Sequence, residues 1–166
     1  MKQTIGVAVL FVILFSFIAA CSNNESANDE HDHDHASHRL PNGDIQETTA
    51  SISELPAFLN GQQKEIVDIY KLAGSHAEAL EWIPCYCGCG QSAGHRSNKN
   101  CFIHKINEDG SVVWDDHGTR CGVCLQIADI TAAMAEKGYT IKQIRDYIDK
   151  TYSDGYAEPT PTPMPS

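Results

Sequence analysis

Residues 5–17 form a nearly uninterrupted apolar run behind a single base, Lys2, and small residues follow it. The run is shorter than the roughly twenty apolar residues a membrane-spanning helix needs, so it predicts a cleaved secretory signal peptide over 1–20. The next stretch, 22–50, is polar and poor in large apolar side chains. Such a segment buries too little surface to offset the entropy of ordering, and it reads as a flexible tether. Periodicity begins past residue 52. Ile66, Ile69, Tyr70 and Ala73 recur at helical spacing, with Gly74 as the C-terminal stop. Ser75 and Glu78 match a capping box for a short second helix that must end before Pro84. Residues 102–106 and 111–114 flank Asn107-Glu108-Asp109-Gly110 and predict a β-hairpin.

From Cys121 the pattern is helical again. Cys124, Ala128 and Thr131 lie along one stripe, Leu125, Ala132 and Ala135 along its neighbour, and Gly138 closes the run. Thr140 and Gln143 form another capping box, and Ile141, Ile144, Ile148 and Tyr152 then share one face. The two segments predict a helical hairpin. The fold class expected is therefore mainly α: a small helical domain with a short β-hairpin and a cysteine-rich loop, flanked by disordered tails. Its parts are the signal peptide at 1–20, a His-rich tether at 21–51, the cysteine-rich domain at 52–156 and a tail at 157–166. That tail alternates proline with other residues and should be extended.

Ile18-Ala19-Ala20-Cys21 has the lipobox layout, an aliphatic residue and two small ones before a cysteine. It predicts acylation of Cys21 as the first residue of the mature chain. Acyl chains contribute about 0.8 kcal/mol per buried CH₂, and more than one chain gives stable anchoring. The expected place is the extracytoplasmic face of the cell membrane, with the bilayer as first partner. Signal cleavage removes one base, Lys2, and no acid, which takes the formal charge from −10 to −11. An acidic surface of this kind excludes nucleic acid as a partner and favours cations. No glycine-rich phosphate loop or serine triad is present, so phosphoryl and acyl transfer have no support and no catalytic residue is assigned.

The core is thin for its length, and such domains recruit disulfides or a metal. Apart from Cys21, the chain holds Cys85, Cys87, Cys89, Cys101, Cys121 and Cys124. Outside the cytoplasm an even number permits a three-bridge framework. Spacing argues for a metal instead. Cys85-Tyr86-Cys87-Gly88-Cys89 sets three sulfurs on alternating residues, which suits convergence on an ion better than bridges between near neighbours. Cys121-Gly122-Val123-Cys124 adds the bite used by metal sites and redox dithiols alike, at a helix N-terminus where the macrodipole favours thiolate. Thiolates select Cu(I), Zn²⁺ or iron–sulfur assemblies. Six sulfurs plus imidazole exceed the four ligands of a tetrahedral Zn²⁺ site, which tilts the expectation toward Cu(I). A protein that donates or accepts the metal is then the implied partner.

Pro84-Cys85-Tyr86-Cys87-Gly88-Cys89-Gly90, Gly94-His95, Cys101-Phe102, His117-Gly118, Cys121-Gly122-Val123-Cys124 and residues 144–149 together resemble the PCYCGC-motif lipoprotein family over most of 55–153. The resemblance implies a lipid-anchored domain defined by that motif. Residues 120–152 separately look like the thiol-reducing subunit of c-type cytochrome maturation. That likeness implies a rival function, thiol–disulfide exchange with Cys121 and Cys124 as the exchanging pair. A third reading makes all six cysteines bridges in an interaction module.

His95 lies six residues after Cys89 and six before Cys101, so a loop can fold it onto the sulfur centre as ligand or support. His117, four residues before Cys121, has the same standing at lower weight. His31, His33, His35 and His38 alternate with Asp32 and Asp34 in a tract that is either a loose Zn²⁺ or Cu²⁺ site or a solvated spacer. His76 and His104 read as structural or exposed, Asp115-Asp116 as turn residues. Trp82, Tyr86 and Trp114 should shield the sulfurs and complete the core.

Overall fold

The structure is a computed structural model, and it describes residues 37–165. The signal peptide, Cys21 and the histidines at 31, 33 and 35 lie outside those residues. The elements run β1 Ser37–Arg39, β2 Ile45–Thr49, α1 Lys64–Ser75, α2 Ala77–Glu81, α3 Gly90–Ala93, β3 Ile103–Ile106, β4 Val112–Asp115, α4 Gly122–Glu136 and α5 Ile141–Thr151. The result is a small helix-rich domain carrying an antiparallel sheet in the order β1-β2-β4-β3.

The expected hairpin is β3–β4, closed by Gly110 at φ +89° and by Asn107 N–H donating to the Ser111 carbonyl at 2.9 Å. Two further strands extend it, and this corrects the reading of 37–49 as tether. β2 pairs with β4, Glu47 opposite Trp114 and Thr49 opposite Val112. Its core-facing side chains are polar, so an apolar count passes over them, yet each has a partner. The Glu47 carboxylate accepts from Ala57 N–H at 2.6 Å and Phe58 N–H at 3.2 Å, and Thr49 Oγ1 accepts from Trp114 Nε1 at 2.8 Å. Buried polar groups are tolerated when so satisfied.

α1 packs on α4 above the sheet, with Tyr70, Phe102 and Trp114 in edge or tilted contact between them. Gly74 does not stop α1. It lies inside the helix, where a Cβ would come within 3.2 Å of Trp114 Cη2, so the missing side chain admits the indole. The capping box expected at Ser75 and Glu78 is absent, because α1 runs on through Ser75 and its hydroxyl donates back to the Lys71 carbonyl at 3.0 Å.

The helical hairpin forms as expected. Ile144 and Ile148 of α5, and Tyr152 just past its end, are buried with Ile83, Tyr86 and Ile127 in a second apolar cluster. The Thr140 capping box is made, Gln143 N–H donating to Thr140 Oγ1 at 3.2 Å and Thr140 N–H to Gln143 Oε1 at 2.9 Å. Thr140→Ala should lower the unfolding free energy by about 1 kcal/mol. A urea midpoint identical to wild type would show that this cap contributes nothing.

The proline-rich segment is extended, as expected, but it is no free tail. Residues 157–163 lie along the PCYCGC loop as a strap. Thr160 N–H donates to the Cys85 carbonyl at 3.0 Å, Cys85 N–H to Thr160 Oγ1 at 2.9 Å, and Thr162 Oγ1 to the Arg96 carbonyl at 2.6 Å. Arg145 of α5, itself buried, donates to the Pro163 carbonyl at 3.0 Å. Prolines lack N–H groups, and the intervening threonines supply the donors that dock the segment.

Candidate metal centre

Four pieces of chain bring the cysteines and His117 together. Cys85, Cys87 and Cys89 leave Pro84 on a loop that turns at Gly88, φ +81°, a conformation open to glycine. Gly90 begins α3 directly under the strap, where a Cβ would collide with Thr160 Cγ2. Cys101 ends a 3₁₀ turn, Asn98–Cys101, whose capping box joins Ser97 and Asn100. Cys121 is the N-cap of α4 and Cys124 lies in its first turn. His117 and Arg120 come from the turn Asp116–Arg120, pressed onto Phe102 at Gly118.

The six cysteines among the described residues are free thiols. The sulfurs of Cys85, Cys87 and Cys124 lie within 4.8 Å of one another, and Cys85 Sγ and Cys124 Sγ are 3.2 Å apart. Cys85, Cys101 and Cys124 are buried and belong to the main apolar core; Cys87, Cys89 and Cys121 are half-buried at its rim. A second group at the same spacing joins Cys87, Cys89 and His117, and a third joins Asp44, His95 and His117. Cys87 therefore belongs to two of these groups. His95 stands behind the sulfurs, its Nδ1 3.6 Å from Cys101 Sγ and its ring edge-on to His117 at 4.7 Å.

Asp44 was not among the residues marked in the sequence, because it fell in the supposed tether. The available signal was Pro41-Asn42-Gly43, a turn sequence between two short runs, with Gly43 at φ +91°. Asp44 is buried and accepts from His117 Nδ1 at 3.1 Å, from Asn42 Nδ2 at 2.7 Å and from Arg120. Asp116 is a turn residue, as expected, whereas Asp115 ends β4 and caps that turn. They accept from backbone N–H groups, Asp115 from His117 at 3.0 Å and Asp116 from Ile45 at 2.7 Å.

The electrostatics single out Cys87. The thiols of Cys101, Cys121, Cys124 and Cys85 around it, in that order, hold it well below the ordinary thiol range and outweigh its burial. Cys124, facing Cys101, Cys121, Cys85 and Cys87, is pushed far up. The low thiol is thus Cys87 rather than the one at the head of α4, since the thiols facing Cys124, and after them its burial, outweigh the helix dipole there. The Cys87 sulfur, opposed by burial and helped by Asp44, raises His117 to about 9. Burial, followed by the neighbouring His117, lowers His95 to about 4. One imidazole is then cationic and the other neutral near pH 7. A soft ion would displace the thiol protons and the proton on the His117 side facing the sulfurs.

A cleft of about 610 Å³ opens beside this centre, between Gly88, Gly90 and His95 on one wall and Pro159 and Pro161 on the other. Cys/His groups able to hold a metal are thus in place at the surface end of the core.

No curated protein and no solved structure matches the chain. The likeness of residues 120–152 to the cytochrome-maturation subunit accordingly finds no support. Residues 9–165 match the family model described as a protein of unknown function with PCYCGC motif, and the chain belongs to that family.

Proposed function

We propose that the protein binds a soft metal ion, Cu(I) or Zn²⁺, through Cys85, Cys87, Cys89, Cys101, Cys121 and Cys124 with His95 in support. In this reading it buffers the ion or hands it to a partner protein, held on the outer face of the cell membrane by lipid on Cys21. The observation that carries the reading is the convergence of Cys85, Cys87 and Cys124, free and mutually within 4.8 Å, from segments 37 residues apart in sequence at their nearest. Independent crosslinks would not require one shared centre. A cluster of unpaired sulfurs is what thiophilic ions select, and the surplus over four ligands favours Cu(I). Exchange chemistry at Cys121 and Cys124 is less well served. Attack needs an accessible thiolate, whereas Cys124 is buried and the thiols of both Cys121 and Cys124 are shifted up.

Protein purified without oxygen should carry Cu or Zn by elemental analysis, or take it up from solution. Absence of Cu, Zn and Fe together with no uptake on reconstitution would overturn the reading. The anchoring half has its own check: Cys21→Ser should move the protein out of the membrane fraction.

A further inference from the structure

The groups around Cys87 have a geometry that one ion does not use. Cys85, Cys87 and Cys124 form one face, and Cys87, Cys89 and His117 form another, each with its donor atoms within 4.8 Å of one another. We propose that the cluster is dinuclear: one soft ion on Cys85, Cys87 and Cys124, a second on Cys87, Cys89 and His117, with the Cys87 thiolate bridging them. This deepens the metal-binding reading and rests on it.

Three observations support the second position. His117 Nε2 is buried with no hydrogen-bond partner, while Nδ1 is engaged by Asp44 at 3.1 Å. That leaves Nε2, once the incoming ion has displaced its proton, as the nitrogen available to ligate. A carboxylate bonded to the far nitrogen of a ligating imidazole fixes its tautomer and raises its basicity, and here Arg120 holds the carboxylate in turn. Asp44 is thus a positioning residue.

The Cys101 thiol faces Cys124 and Cys85, on the buried side, and the Cys121 thiol faces Cys124 and Cys87. Cu(I), a d¹⁰ ion content with three soft ligands, fits either face, and a shared thiolate keeps the total charge low. Each coordinating thiol, and the His117 imidazolium at Nε2, releases its proton to solvent, and no electron is transferred.

Cu(I), supplied anaerobically as its acetonitrile complex, is titrated into the full protein and counted by native mass spectrometry. Wild type should bind two ions. Cys89→Ser with His117→Ala should bind one, and Cys85→Ser with Cys124→Ser should also bind one. X-ray absorption on the loaded wild type should show a metal–metal scattering path, a readout that survives even if a variant fails to fold. Asp44→Asn should weaken the second ion by about 10- to 100-fold and leave the first unchanged. One ion in wild type with no metal–metal path would overturn the dinuclear cluster while leaving the metal-binding reading standing. No uptake at all would overturn that reading as well. Equal weakening of both ions by Asp44→Asn would overturn its positioning role.

Discussion

Cys87→Ser should cost more metal affinity than any other single cysteine substitution in the cluster. The reason is positional. Cys87 is the residue common to both sulfur-bearing groups, and four other thiols face it. Serine keeps the size and the loop conformation but replaces a polarizable thiolate with a hard hydroxyl that soft ions disfavour. Losing an outer-shell partner costs roughly 10- to 100-fold in metal affinity, so losing this sulfur should cost more than about 100-fold. Cys89→Ser should cost less, since Cys89 belongs to only one of these groups. Competition against a chromophoric Cu(I) chelator measures both. Comparable affinities for the two variants would mean that Cys87 holds no central place.

Removal of residues 157–166 should lower the unfolding free energy by about 2–3 kcal/mol, since several strap hydrogen bonds are lost at about 0.5–1.5 kcal/mol each and the ordering entropy recovered offsets part. The strap occupies both the N–H and the carbonyl of Cys85, a residue only 1% exposed. Without it those groups must find water, and the sulfur loop loses the wall that fixes its path. The truncated protein should therefore also react faster with a bulky alkylating reagent at Cys85. Denaturant unfolding and mass-resolved alkylation read the two effects. An unchanged midpoint with unchanged alkylation would show that the strap merely rests on the surface.

The strap shows where sequence reading runs short. Proline alternation correctly indicated an extended segment, because fixed φ and missing N–H groups are local properties. Docking depends on threonines meeting Cys85 and Arg96, residues more than sixty positions away, and no local rule encodes that meeting. β2 teaches the same lesson from the other direction. Its inward positions, Glu47 and Thr49, carry no apolar signal, and partners such as the N–H groups of Ala57, Phe58 and Trp114 make their burial tolerable. Nor can spacing alone show that a buried carboxylate from the β1–β2 turn, Asp44, aims the His117 ring.

What the sequence determined by itself was local: the helices from Cys121 onward, the cap at Thr140, the β3–β4 hairpin, and six cysteines dense enough to demand a shared purpose. Periodicity, capping and turn chemistry act over a few residues, and they are written where they act. Which sulfurs meet, the central place of Cys87, and the support of Asp44 and the strap were decided by tertiary structure alone. Those relations join segments tens of residues apart, and packing a thin core around polar, individually satisfied contacts is what brings them together.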